Sequence, residues 1–170
     1  MIELFGLLLI ALVYGIYFYY WFKAIRISAP FYPTNKKTTA TMLKEISKHD
    51  VKKVAELGAG DGRVAVALAK EGYEVTAIEF NPILVIFIYM RKFIGGHKNL
   101  KVVKKDFLKV DYSEFDAAFI YLYPKVMDRL AKKLYTEMHK GSILISNTFA
   151  FHNKKPYKTS ENKIIVYRVE

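Results

Sequence analysis

The chain contains no cysteine, which excludes a disulfide framework and any thiolate metal site. Its four histidines, His49, His97, His139 and His152, are scattered without ligand spacing, so no metal is expected. Glutamine is also missing while lysine is abundant, a bias that suits work at high temperature and points to a thermophilic source. Negative charge is scarce. With 16 acidic side chains against 27 Lys and Arg, the formal net charge of +11 favours an anionic partner such as nucleic acid, a membrane surface or an acidic protein. Yet the lysines form scattered pairs, among them Lys36-Lys37, Lys104-Lys105 and Lys154-Lys155, and no nucleic-acid-reading motif accompanies them. The charge therefore reads as a solvated surface, and nucleic acid is not the expected partner. There is no internal repeat, and 170 residues leave room for one core.

Charge is missing locally as well. Residues 4–22 carry none, and as a helix rising about 1.5 Å per residue they nearly match the hydrocarbon thickness of a bilayer. Tyr14, Tyr17, Tyr19, Tyr20 and Trp21 crowd the C-terminal half, where interfacial aromatics settle, and Lys23 and Arg26 follow. Residues 1–23 are thus expected to be a single-pass membrane anchor with Glu3 and the N-terminus outside and the basic end in the cytoplasm. A cleaved signal peptide would begin basic and end in small residues, and a surface helix would show a polar face; this segment does neither. Pro30 and Pro33 mark residues 24–37 as a linker, which leaves 38–170 for a single domain.

That domain alternates. Strands are expected at residues 52–57, 74–80, 101–105, 117–121 and 142–149, and helices at 38–48, 62–70, 82–94 and 125–139. Strands that alternate with helices imply right-handed crossovers and a mostly parallel sheet, while residues 155–160 and 163–169 read as a terminal antiparallel hairpin. The expected fold class is α/β, a Rossmann-like sheet behind an N-terminal transmembrane helix.

In such a sheet ligands bind at the carboxyl ends of the strands. The first strand ends in Glu56-Leu57-Gly58-Ala59-Gly60-Asp61-Gly62, whose glycines admit positive φ and let a ligand approach the backbone beside a helix N-terminus. The dinucleotide fingerprint G-x-G-x-x-G would place its third glycine where Arg63 stands, so the spacing favours S-adenosylmethionine over NAD. The second strand ends in Glu79, seventeen residues after Gly62, placed to accept from two ribose hydroxyls. The third ends before Asp106 and Phe107, a carboxylate for an adenine amine and a ring for the purine. The fourth ends in Tyr121-Leu122-Tyr123-Pro124, bordering the place of a reactive methyl group. Each residue alone has a bland explanation; their order at successive strand ends is the specific signal.

From about residue 34 to 169 the chain resembles the class I, seven-β-strand, S-adenosylmethionine-dependent methyltransferases. Four stretches are similar to a narrower group: Pro30-Phe31-Tyr32-Pro33-Thr34, Glu56 to Arg63, Glu79-Phe80-Asn81-Pro82 and Tyr123-Pro124-Lys125-Val126-Met127. That group comprises the protein-lysine methyltransferases with an N-terminal membrane segment that act on the ATP synthase c-subunit and the adenine nucleotide translocator in mitochondria, together with small archaeal lysine methyltransferases. The chain departs from it in lacking a mitochondrial presequence and in a short, lysine-rich region after Phe149.

The resemblance implies S-adenosylmethionine as cofactor, S-adenosylhomocysteine as product and a membrane-associated protein substrate. It makes the end of the 24–37 linker a segment that covers the cofactor, and assigns cofactor contacts to Tyr32, Pro33, Thr34, Glu56, Gly58, Ala59, Gly60, Gly62, Glu79, Phe80, Asn81, Asp106, Phe107 and Tyr121. Tyr121 and Tyr123 are the candidate catalytic residues, lining with Tyr32 and Phe149 an acceptor channel that needs no general base. Other readings compete. The anchor and the apolar run Ile83 to Met90 fit a lipid or small-amphiphile methyltransferase, although burial between sheet and helices is the expected fate of that run. A non-catalytic scaffold conflicts with the intact glycine loop and acids, and an RNA methyltransferase fits the charge alone, without the Asn-Pro-Pro-aromatic sequence that base-amine methyltransferases carry after the fourth strand.

Overall fold

The computed structural model describes residues 2–27, 32–160 and 162–170. An apolar helix α1 (Ile2–Ile27) leads into α2 (Lys36–Ile46), followed by β1 (Lys53–Leu57), α3 (Arg63–Lys70), β2 (Glu74–Glu79), α4 (Pro82–Gly95) and β3 (Leu100–Lys104). A 3-10 turn (Phe107–Lys109) precedes β4 (Ala117–Ile120), α5 (Pro124–Glu137), β5 (Ile143–Asn147), β6 (Lys158–Thr159) and β7 (Ile164–Arg168). The seven strands form one sheet in the order β3-β2-β1-β4-β5-β7-β6, with β1 to β5 parallel and β7 and β6 antiparallel. The expected alternation and terminal hairpin are both present.

Period-two patterning builds two cores from one sheet. Val54, Ala117, Phe119, Ile143 and Ile145 face Met42 and Ile46 of α2, Val64 and Leu68 of α3 and Ile88 of α4. Ala55, Leu57, Ala118, Ile120 and Leu144 face the other way, onto Met127, Leu130 and Leu134 of α5. With both faces of the sheet covered there is little room for polar side chains, so the strands read as nearly continuous apolar runs. Asp116 aligns two strand starts by accepting from the backbone N–H groups of Lys52 and Lys53 at 2.8 and 2.7 Å.

Boundaries differ from expectation where local caps override propensity. Asn35 accepts from Thr38 N at 2.8 Å, so α2 begins at Lys36, inside the expected linker. At the linker's other end α1 continues through Ile27, because a proline at 30 restricts only the residue before it. Pro30 and Phe31 of the resemblance lie outside the described residues. Strand β5 stops at Asn147, two residues short of expectation, as Thr148 turns to φ +70°.

One expectation fails outright. The outer face of α4 is not buried by neighbours: Ile86, Phe87, Tyr89, Met90, Phe93 and Ile94 are all exposed, Phe93 to 89%. The sheet takes up only the opposite side, through Leu84, Val85 and Ile88.

Candidate active site

The strand order reverses between β1 and β4, and a cavity of about 290 Å³ opens there at the strands' carboxyl ends. That is near the lower end of the about 300–1,000 Å³ usual for small-ligand sites. Gly58 N and Ala59 N donate to Ile78 O at 2.9 and 3.0 Å, which folds the glycine loop onto the neighbouring strand. Gly58 has φ +68°, and a Cβ there would stand 2.9 Å from Leu122 Cδ2, so the loop closes against the end of β4 only with glycine.

Glu79 holds the loop from the next strand. Its Oε2 accepts from Gly60 N at 2.9 Å, and its Oε1 accepts from Phe80 N and Asn81 N at 2.8 Å each. Burial raises its carboxyl above the usual range, opposed by those three N–H donors. Glu56 is more extreme. It is buried, its Oε2 has no hydrogen-bond partner among the described residues, and burial, joined by the nearby carboxylates of Glu79 and Asp61, pushes its carboxyl well above the usual range against a bond from the Ala65 backbone.

Asp61 behaves in the opposite way. Burial would raise its carboxyl, but Arg63 and Arg91, both at 2.8 Å, outweigh it and hold the group low. Arg63 Nη1 also donates to Thr34 O at 3.3 Å, tying the segment before α2 to the glycine loop. Asp106 accepts from Leu108 N at 2.9 Å and caps the 3-10 turn, with Phe107 buried beside it. Aromatic rings form the remaining wall: Tyr32 meets Tyr121 edge-on at 6.3 Å, and Tyr123 stacks on Phe149 at 6.0 Å. Burial, with Tyr32 and Tyr123 nearby, raises the Tyr121 phenol above its usual value.

Every candidate cofactor or channel residue named from sequence lines this cavity except Gly62. Gly62 instead caps α3 at φ +78° and faces Ile88, which a Cβ would meet at 2.9 Å, so its glycine serves the junction of α3 with α4. Several contributors escape a reading of the sequence. Tyr17 and Trp21 of α1 also line the cavity, and Tyr20 packs on Phe80 at 5.8 Å. Aromatic crowding at the end of α1 is plain in the chain, but it carries no information about which surface the rings meet. Leu122 is placed at the site by its strand end, but its contact with Gly58 is not legible there, and Arg91, the second cation on Asp61, has no signal in sequence.

A sheet of this order with a glycine-loop cavity at its switch point is the class I methyltransferase fold. An RNA methyltransferase from Salinibacter ruber, solved with S-adenosyl-L-homocysteine, shares it at a TM-score of 0.75 and 24% identity, covering 81% of this chain and 94% of that one. The chain belongs to the family of the ANTKMT methyltransferase domain, which it matches over residues 56–158. It is 30% identical to the ATP synthase C-subunit lysine N-methyltransferase of Mus musculus over 79% of this chain, and spans 55% of that relative's length. It is 29% identical to a protein-lysine N-methyltransferase of Saccharolobus islandicus, over 75% of this chain and 81% of the relative.

Proposed function

We propose that this chain transfers a methyl group from S-adenosylmethionine to a lysine ε-amine of a protein at a membrane. The observation that carries the reading is a single cavity holding an unpartnered buried carboxylate oxygen on one wall and four aromatic rings on another. Glu56 suits the ammonium of an amino-acid end, which would stabilise its charged form. Glu79 keeps one acceptor site, on Oε2, beyond its three backbone donors and suits a ribose hydroxyl, while Asp106 and Phe107 suit the adenine. When bound, the cofactor supplies an electrophilic methyl on a sulfonium.

The protein's contribution is placement. Holding a nucleophile about 3 to 3.5 Å from its target in line is worth several powers of ten in rate. A lysine ammonium with an unperturbed pKa of about 10.4 must lose its proton first, and an aromatic, poorly hydrated wall favours the neutral amine. Asp61 is held in its two arginine pairs, and no carboxylate is assigned as general base.

Two relatives named for lysine methylation support the acceptor. The uncharged run within Glu3–Phe22 supports anchoring through α1, and Lys23 and Arg26 support a cytoplasmic domain with the N-terminus outside. The glutamine-free, lysine-rich composition supports a thermophilic source. The test is incubation of the purified full chain with labelled S-adenosylmethionine and the membrane fraction of its source, followed by mass spectrometry. Label on a lysine is expected; label confined to lipid or to RNA would replace the reading.

A further inference from the structure

Among the described residues nothing covers the apolar outer face of α4. At about 100° per residue, Ile86, Phe87, Tyr89, Met90, Phe93 and Ile94 occupy one continuous arc of about 160°. Phe93 and Ile94 are 89% and 80% exposed, and the other four are about half exposed. A contiguous patch of this kind on a small domain marks an interaction surface. Its borders are cationic. Arg91 flanks one side, where it also pairs with Asp61, and Lys92 flanks the other. Lys92 and Tyr89 share a shallow groove with Lys98 and Lys101 beside the edge strand, and the acids there are matched: Glu74 meets Lys52 at 3.3 Å and Glu114 meets Lys53 at 3.6 Å.

The same helix starts where α1 touches the domain. Tyr20 packs on Phe80, one residue before Asn81 caps α4, and Leu84 of α4 lines the cavity together with Tyr17 and Trp21 of α1. An apolar face bordered by long basic side chains, on a helix whose start lies beside the aromatic end of a span, has the chemistry of a helix lying in the headgroup region of an anionic bilayer.

We propose that the exposed face of α4 is a membrane-docking surface for anionic lipid, so that the domain is held at two places and its cavity opens at the bilayer surface. This rests on α1 being an anchor, and the experiment separates the two.

Because the chain has no cysteine, single labelling sites are clean. The full chain carrying Leu9→Cys, Met90→Cys, Phe93→Cys or Lys132→Cys is labelled with an environment-sensitive fluorophore and placed in phosphatidylcholine–phosphatidylserine vesicles containing lipids spin-labelled at shallow or deep positions. Shallow quencher is expected to lower emission about twofold or more at 90 and 93 and to leave 132, on the opposite face of the sheet, unchanged. Deep quencher is expected to act at 9. Quenching at 9 with 90 and 93 matching 132 would overturn the docking surface and leave the anchor standing. Quenching at 90 and 93 without 9 would remove the anchor and overturn the attachment at two places, leaving α4 alone on the lipid. A blue-shifted but unquenched label at 93 would mean a protein covers the face, which also overturns the proposal.

Discussion

Glu79 reaches back from the end of β2 to accept the Gly60 N–H at 2.9 Å, so the acid and the glycine loop form one hydrogen-bonded unit before any ligand is considered. The loop's shape and the carboxylate's position are therefore not separable. Substituting Glu79→Ala strands three backbone donors and should cost about 1–3 kcal/mol of stability. It should also weaken S-adenosylmethionine binding by about a hundredfold, since the loop loses its support as well as the proposed ribose contact. Thermal unfolding and calorimetry measure the two; unchanged binding would show that Glu79 serves the loop alone.

Gly58 and Leu122 form a second pair. Gly58→Ala places a Cβ 2.9 Å from Leu122 Cδ2 at a φ of +68°, and should destabilise by about 1–3 kcal/mol. Adding Leu122→Ala relieves the clash but not the backbone strain. Urea titrations of the singles and the double are expected to give a coupling of about 1 kcal/mol, with the double less destabilised than the sum.

Glu56 governs a pH dependence of the free protein. Its folded carboxyl titrates well above the usual carboxylate range, so the unfolded chain releases the proton first. Its contribution to stability is complete below that range and is lost as pH rises towards the folded pKa. Glu56→Gln should therefore raise the Tm of the ligand-free protein at pH 8 and change it little at pH 4. The same substitution should weaken cofactor binding about tenfold or more, because an amide cannot neutralise an ammonium. A Tm gain that is equal at both pH values would exclude charge burial as the cause.

Asp61, Arg63 and Thr34 test the covering segment. Arg63→Ala removes the donor to Thr34 O and one of the two cations on Asp61. It should raise the KM for S-adenosylmethionine about tenfold with a smaller effect on kcat, as expected for a contact that positions the segment over the site. Asp61 has a depressed folded pKa, so its stabilisation is present above the ordinary carboxylate range and is lost as pH falls through the folded value. Asp61→Asn should accordingly flatten the acid limb of the stability profile, measured as Tm from pH 6 down to pH 3.

The parts that are legible in the chain are those written in local pattern. Alternation of strand and helix is a short-range periodicity, and the glycine loop, Glu79, Asp106 and the tyrosines after β4 sit at strand ends that any right-handed parallel sheet brings to one edge. The family follows from the same signals. Caps are local too, yet Asn35 and Thr148 shift their elements because a single side-chain acceptor or a positive φ outweighs propensity over one or two residues.

By itself the amino-acid order determined the elements, their alternation and the acids that stand in and after the glycine-loop motif. Only the tertiary structure decided which of those acids is satisfied. Glu79 has three donors, Asp61 has two cations, and Glu56 has an oxygen with none, although all three are carboxylates within or beside one motif. It likewise decided that Gly62 answers to Ile88 and that the outer face of α4 stays bare. The physical reason is the same in each case. Burial, unpaired charge and exposed apolar area depend on what approaches through space, and residues thirty or sixty positions apart leave no mark of that approach on one another.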